Sequence, residues 1–197
     1  KVLYDFVWSD FCDWYIEIAK TRFYSEDIEK QAMTYNVCLR CIRIILPLMH
    51  PYTPFITEEL WAYFKEQDQS DLIIAPWPIG DIQTYDDVGN DMEVIQDLVT
   101  SIRAMRNRVN IPPSKNVKLI IKCNEHKRSL ISQNDELLIS LAKLDSYEYD
   151  DSKNKISESA TSVVGGMELY IPLKGLVDLE KEKMQLMKRK IKIEDLL

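Results

Sequence analysis

The 197 residues are 46% hydrophobic and 29% charged, with a formal net charge of −7; this is an ordinary globular composition with room for one large domain or two smaller ones. No run approaches the roughly 18 consecutive apolar residues of a membrane-spanning helix, and Asp5, Asp10 and Asp13 interrupt the N-terminal apolar residues, so neither a membrane span nor a secretory leader is expected and the chain reads as cytoplasmic. Cys12, Cys38, Cys41 and Cys123 are too sparse for a disulfide framework, and the single CxxC of Cys38 and Cys41 lacks the second ligand pair that structural zinc needs.

In chain order, residues 1–24 contain no Gly or Pro and predict one long helix. Leu3, Val7, Trp14 and Ile18 form one apolar row, and Tyr4, Trp8, Phe11 and Tyr15 form a second. A second helix is expected from about Glu26 to Leu46, stopped by Pro47 and Pro51. Thr53 as N-cap and Pro54 at the first helical position start a third, running through Phe64. After a polar connector, a fourth helix at 90–110 places Ile95, Leu98, Ile102, Met105 and Val109 on one face. Four such helices predict a bundle over 1–111.

The periodicity changes at Pro112-Pro113. Val117, Leu119, Ile121 and Cys123 alternate with Lys118, Ile120 and Lys122, as a strand would. Short helices are expected within 126–143, and Gly165-Gly166 marks a hairpin turn between Val163-Val164 and Met167–Ile171. Residues 112–174 therefore read as a small α/β unit. Residues 175–197 read as a helix in which Leu179, Leu186 and Ile193 and then Val177, Met184 and Ile191 repeat every seventh position, a heptad-like pattern short of the roughly three to four heptads that identify a coiled coil. The pattern stops without a cap, so a truncated arm is expected. The fold class is mainly α: a helix bundle, a small α/β unit and a terminal coiled-coil-type helix.

The acidic average hides a reversal of sign. Residues 56–100 carry eleven acids against Lys65 alone, whereas 101–128 carry eight bases (Arg103, Arg106, Arg108, Lys115, Lys118, Lys122, Lys127 and Arg128) against Glu125. A local basic field, rather than net charge, is what a polyanion meets. Arg103, Arg106, Asn107 and Asn110 share one helical face at i, i+3, i+4 and i+7, opposite the apolar residues. Such a face suits phosphate oxygens, and it equally suits solvent near a helix C-terminus. The row containing Trp8 could stack unpaired bases or fill a core. His50, His126 and the Glu58-Glu59 pair lack the partners of a catalytic set; acids in a first helical turn follow from the helix dipole. With five glycines in all, no phosphate-cradling loop is present.

Four stretches, in order, resemble one family. Asp10-Phe-Cys-Asp-Trp-Tyr-Ile-Glu17 is similar to the opening anticodon-domain helix of the valyl-tRNA synthetases. Leu48-Met-His-Pro-Tyr-Thr-Pro-Phe-Ile-Thr-Glu-Glu-Leu-Trp61, with Ala75-Pro-Trp-Pro78, resembles a signature shared by the valine, isoleucine and leucine enzymes. Ile102-Arg-Ala-Met-Arg-Asn-Arg-Val-Asn-Ile-Pro-Pro-Ser-Lys115 and Gly166-Met-Glu-Leu-Tyr-Ile-Pro-Leu-Lys-Gly-Leu-Val-Asp-Leu-Glu-Lys-Glu182 resemble the family's next helix and the lead-in to its C-terminal coiled coil. The resemblance implies a class I synthetase that joins valine to its tRNA using ATP with magnesium, of which this chain is a non-catalytic tRNA-binding part. It implies no cofactor in the chain itself, valine tRNA as partner, no DNA and no membrane, and a monomer. Candidate tRNA contacts are Trp8, Arg103, Arg106, Asn107, Asn110, Lys115, Lys188 and Arg189. Two alternatives stay open: the matching region of the isoleucine enzyme, and a helical protein-interaction module whose surface is the acidic segment 56–100.

Overall fold

The computed structural model describes residues 1–80, 86–152, 154 and 156–176, the side chains of 86–88 aside. The expected coiled-coil helix, with Lys188 and Arg189, lies outside these residues beyond Leu176. The contacts fall into two compact units, residues 1–84 and residues 85–197.

In the first unit α1 (Val2–Asp5), a wider π-type stretch (Phe6–Ile16) and α2 (Glu17–Phe23) run on as one helix. Hydrogen bonds of i→i+5 type widen the turn, so the inward row recurs at every fourth residue: Leu3, Val7, Phe11, Tyr15 and Ala19, with Phe11 and Ala19 buried and the rest half-buried. This splits the expected aromatic row. Phe11 and Tyr15 turn inward, while Tyr4 and Trp8 stay outside.

Asp27 starts α3 (Ile28–Met49) by accepting the N–H groups of Glu29 and Lys30, each at 3.1 Å. These bonds, the Lys30 N–H foremost, hold the Asp27 carboxyl below its usual range. The helix runs two residues past Pro47, the expected stop, with the proline inside its last turn at the loss of one ladder hydrogen bond, the N–H that would reach the Arg43 carbonyl. By length and mean hydropathy α3 could cross a bilayer, a property that counting consecutive apolar residues does not reveal. It serves here as a packed helix: Leu46 joins Trp61 and Leu72 in a core flanked by Ile42, Phe64 and Ala75. Arg43, midway along it, donates to the Phe64 carbonyl at 2.6 Å and to Glu66 at 2.8 Å.

As expected, α4 (Pro54–Phe64) follows Thr53 with proline at its first position. The Trp61 indole donates to the Ser70 carbonyl at 3.0 Å. Glu58 has a more specific role than complementing a helix dipole. Its two oxygens accept the N–H groups of Leu72 (2.9 Å) and Ile73 (3.2 Å), closing the 3₁₀ turn Leu72–Ile74 that seats Leu72 in the core.

The second unit opens with α5 (Asp86–Arg108). Expected as the fourth bundle helix, α5 packs on the strand Ser159–Val164 and the helix Asp135–Ala142 of the α/β unit, burying Ile95, Leu98, Val99, Ile102 and Met105. The sheet has the order β2 (Leu144–Tyr149), β1 (Val117–Lys122), β4 (Met167–Pro172), β3 (Ser159–Val164). β1 (Val117–Lys122) alternates as its sequence predicts, with Val117, Leu119 and Ile121 buried. It pairs in parallel with β2 (Leu144–Tyr149), which requires a crossover. α6 (Glu125–Gln133) and α7 (Asp135–Ala142) supply it. β3 (Ser159–Val164) and β4 (Met167–Pro172) form the expected hairpin on Gly165 and Gly166, whose φ of +53° and +71° fit a turn that few other residues accept.

Glu58→Ala should strand the partly buried Leu72 N–H, release the exposed Ile73 N–H to water and cost about 1–2 kcal/mol in a urea titration, whereas Glu59→Ala, on an exposed position, should stay within about 0.5 kcal/mol.

Candidate nucleic-acid interface

The end of α5 gathers most of the polar residues singled out from sequence. Asn110 adopts the left-handed conformation (φ +55°), its N–H donates to the Asn107 carbonyl (3.2 Å), and the next N–H, of Ile111, reaches back to the Arg106 carbonyl (3.0 Å). This is the Schellman pattern, so Asn110 terminates the helix, and its small polar side chain tolerates a conformation that β-branched residues resist.

Arg106 requires a correction. Expected on an outward phosphate-binding face, it is 5% exposed. One terminal nitrogen donates to the Ala142 and Lys143 carbonyls, both at 2.8 Å, and the other to Pro112 (3.0 Å) and Lys115 (2.5 Å). Burial lowers the pKa of the guanidinium from its ordinary value. Arg103 is exposed, yet its Nε and one terminal nitrogen share the Leu141 carbonyl at 3.2 and 3.1 Å. Together the two arginines take the carbonyls that α7 leaves without helical partners at its C-terminus, where cations are also favoured by the dipole.

Much of the remaining basic run is likewise tied down. Arg108 donates to Thr161, Lys115 to Gly175 (3.1 Å) and Leu176 (3.3 Å), and Lys127 to Gly165. Lys122 pairs with Asp150 at 3.2 Å, and Arg128 pairs with Asp151 while lying 4.9 Å over the Tyr149 ring. A carbonyl does not neutralise a cation, so Arg103, Arg106, Arg108 and Lys115 keep their positive field. Asn107 is exposed, and its amide has no partner among the described residues. It lines a cavity of about 310 Å3 with Arg103, Ile111, Pro113, Leu141 and Lys143, with Arg106 also on its wall. Lys143 is the residue that sequence reasoning missed. It follows α7 as a left-handed cap (φ +54°), a position no periodicity marks.

On the first helix Trp8 is 60% and Tyr4 65% exposed, with their rings nearly parallel (8°) and 6.2 Å apart. Phe11 and Tyr15 form the inner pair at 5.7 Å, and the Tyr15 hydroxyl donates to the Thr34 carbonyl at 3.1 Å. Burial pushes the Cys38 and Cys41 thiols up, away from the reactive thiolate form. His50 Nδ1 lies 2.9 Å from the Thr57 hydroxyl, a structural contact. No three His, Cys, Asp or Glu side chains converge among the described residues.

Exposed aromatic rings and cation-lined cavities are each features by which proteins meet unpaired nucleic acid. The family model of the anticodon-binding domain of tRNA ligases matches residues 1–121, and the chain belongs to that family. Its relatives include the valine–tRNA ligase of Halalkalibacterium halodurans, 35% identical over 91% of this chain. The valine–tRNA ligases of Clostridium perfringens and Syntrophotalea carbinolica are 35% and 32% identical, each over 98% of the chain. The chain spans about a fifth of the length of these relatives, 21–22%.

Arg106→Ala breaks four hydrogen bonds at once, leaves the Ala142 and Lys115 carbonyls without that partner while Lys143 and Pro112 keep the N–H groups of Val117 and Lys115, and should destabilise the second unit by about 3–5 kcal/mol. Arg106→Lys should not restore stability, because a single ammonium cannot fork between two loops and a helix end. Asn110→Val should cost about 1–2 kcal/mol while Asn110→Gly stays close to the parent. Urea midpoints of these four variants check the assignment.

Proposed function

We propose that the chain is the anticodon- and tRNA-body-binding portion of a valine–tRNA ligase, and that it is itself non-catalytic. The observation that carries this reading is the solvent-facing Tyr4–Trp8 ring pair, within the segment that matches the anticodon-binding family. Anticodon bases are unpaired, and flat exposed rings give them a stacking surface. Phosphate contacts from Arg103, Lys115 and Arg108 would fix register, while base contacts, Asn107 among the candidates, supply discrimination. Arg106 and Asn110 act in this scheme by shaping the end of α5. Lys188 and Arg189 are proposed contacts to the tRNA body. The names of the relatives favour valine over isoleucine as the amino acid.

The full-length protein would act as a cytoplasmic monomer on valine tRNA, without DNA or membrane. It would use ATP with magnesium, bound by the remainder of the enzyme. Among the described residues no carboxylate cluster converges that would hold the magnesium, and no step of adenylation is assigned to them.

Trp8→Ala in the full-length protein should weaken valine tRNA binding about tenfold, the value of one stacked base. It should affect a tRNA with an altered anticodon less, and leave thermal stability nearly unchanged because Trp8 is exposed. Arg103→Ala should weaken all tRNAs alike and lower the salt slope by about one. Filter binding across a salt series separates the two. Equal losses on every tRNA with Trp8→Ala would refute anticodon stacking, and valine-dependent ATP–pyrophosphate exchange by the 197-residue chain alone would refute its non-catalytic role.

A further inference from the structure

We propose that the cavity at the end of α5 receives a single unstacked nucleotide: its base lies against Pro113 and Leu141, the Asn107 amide reads its edge, and the Lys143 ammonium meets its phosphate. The proposal rests on the tRNA-binding reading and gives it a second contact, separate from the Tyr4–Trp8 pair.

Three observations converge on a nucleotide. First, Arg103, Arg106 and Lys143 line the cavity and no carboxylate does, so it selects an anion. Second, apolar walls (Ile111 at 4% and Leu141 at 7% exposure, with Pro113 at the rim) leave a bare phosphate without complementary surface and suit a flat ring. Its volume of about 310 Å3 falls at the small end of ligand cavities. Third, the Asn107 amide sets a donor beside an acceptor, which is the pattern that pairs with an adenine edge, whereas a phosphate would need donors alone. Neither Asn107 nor Lys143 has a side-chain partner among the described residues, so both remain available.

The walls are also rigid. Arg106 fixes them from behind by bonding Pro112, Lys115, Ala142 and Lys143, the chain on both sides of the cavity. Lys143 holds φ +54°, where glycine or asparagine would be less strained. A lysine kept there at a conformational cost places its charge at the cavity mouth.

The test uses the full-length protein and valine tRNA in filter binding over a salt series. Asn107→Ala, favourable within a helix, should weaken binding about tenfold with an unchanged salt slope. Lys143→Asn, which tolerates the left-handed backbone, should weaken it several-fold and lower the slope by about one. Both variants should melt at or slightly above the parent. Millimolar AMP that competes with tRNA on the parent, but no longer on Asn107→Ala, would show that a free mononucleotide fills the cavity as well; lack of competition with both variants weakened would assign it to RNA alone. If Asn107→Ala and Lys143→Asn both bind like the parent while Trp8→Ala still weakens binding, the cavity proposal is overturned and the anticodon reading stands. If the parent binds no tRNA, both fall together.

Discussion

Arg106 is a buried cation placed where two helices end. α5 closes at its own Schellman turn, and α7 closes at Ala142 with the Leu141 and Ala142 carbonyls left to the two arginines, while Lys143 just beyond it shares its carbonyl between Arg106 and the Val117 N–H. Both ends carry partial negative charge. The planar fork of Arg106 answers the α7 end on one side and the Pro112–Lys115 loop on the other. That loop delivers the chain to β1, so the same guanidinium ties the end of α7 to the entry of the sheet. A lysine would bring comparable charge without the fixed fan of donors. The cavity beside Asn107 is a by-product of this arrangement, because its walls are the segments that Arg106 holds apart.

The placement of the arginine also explains why the basic run 101–128 was only partly legible in sequence. Counting charges located the positive stretch, and helical spacing sets Arg103 and Asn107 away from Leu98, Ile102 and Met105 but Arg106, one turn on from Ile102, at the flank of that apolar face rather than opposite it. Spacing cannot show whether a second element lies over that side. Here α7 does, and it converts Arg106 from a surface cation into a buried clamp. Asn110 carries the complementary lesson. The Asn-Ile-Pro-Pro string is a strong stop signal, and its helix-ending role can be read from local chemistry before any RNA contact is invoked.

Elsewhere, legibility followed the strength of the local pattern. β1 and the Gly165-Gly166 hairpin were plain because alternation and paired glycines admit few other conformations. β2 was invisible, since Leu144–Tyr149 is polar on both faces and becomes a strand only by pairing with β1. In the first helix the composition was read correctly but the pitch was not. At the usual pitch Tyr4, Trp8, Phe11 and Tyr15 share a stripe; the wider turn over Phe6–Ile16 moves the inner row to every fourth residue and leaves Tyr4 and Trp8 in solvent. A shift of a fraction of a residue per turn thus decides whether these rings are core or surface.

The two units meet their stability requirement differently, and this bears on how each can work. The second unit buries Leu98, Ile102, Leu119, Ile121, Leu138, Leu169 and Ile171 almost completely, so groups mounted on it are held in fixed geometry. The cluster around Leu46, Trp61 and Leu72 is smaller, and the first unit leaves Tyr52, Phe55, Ile73 and Ile79 exposed. Local opening is easier where few apolar groups are buried. A stacking pair such as Tyr4–Trp8 tolerates that compliance, because π-faces accept bases over a range of positions. An amide reading a base edge does not, since hydrogen bonds weaken steeply with angle. The placement of Asn107 beside the Arg106 clamp, on the rigid unit, follows from that difference in tolerance.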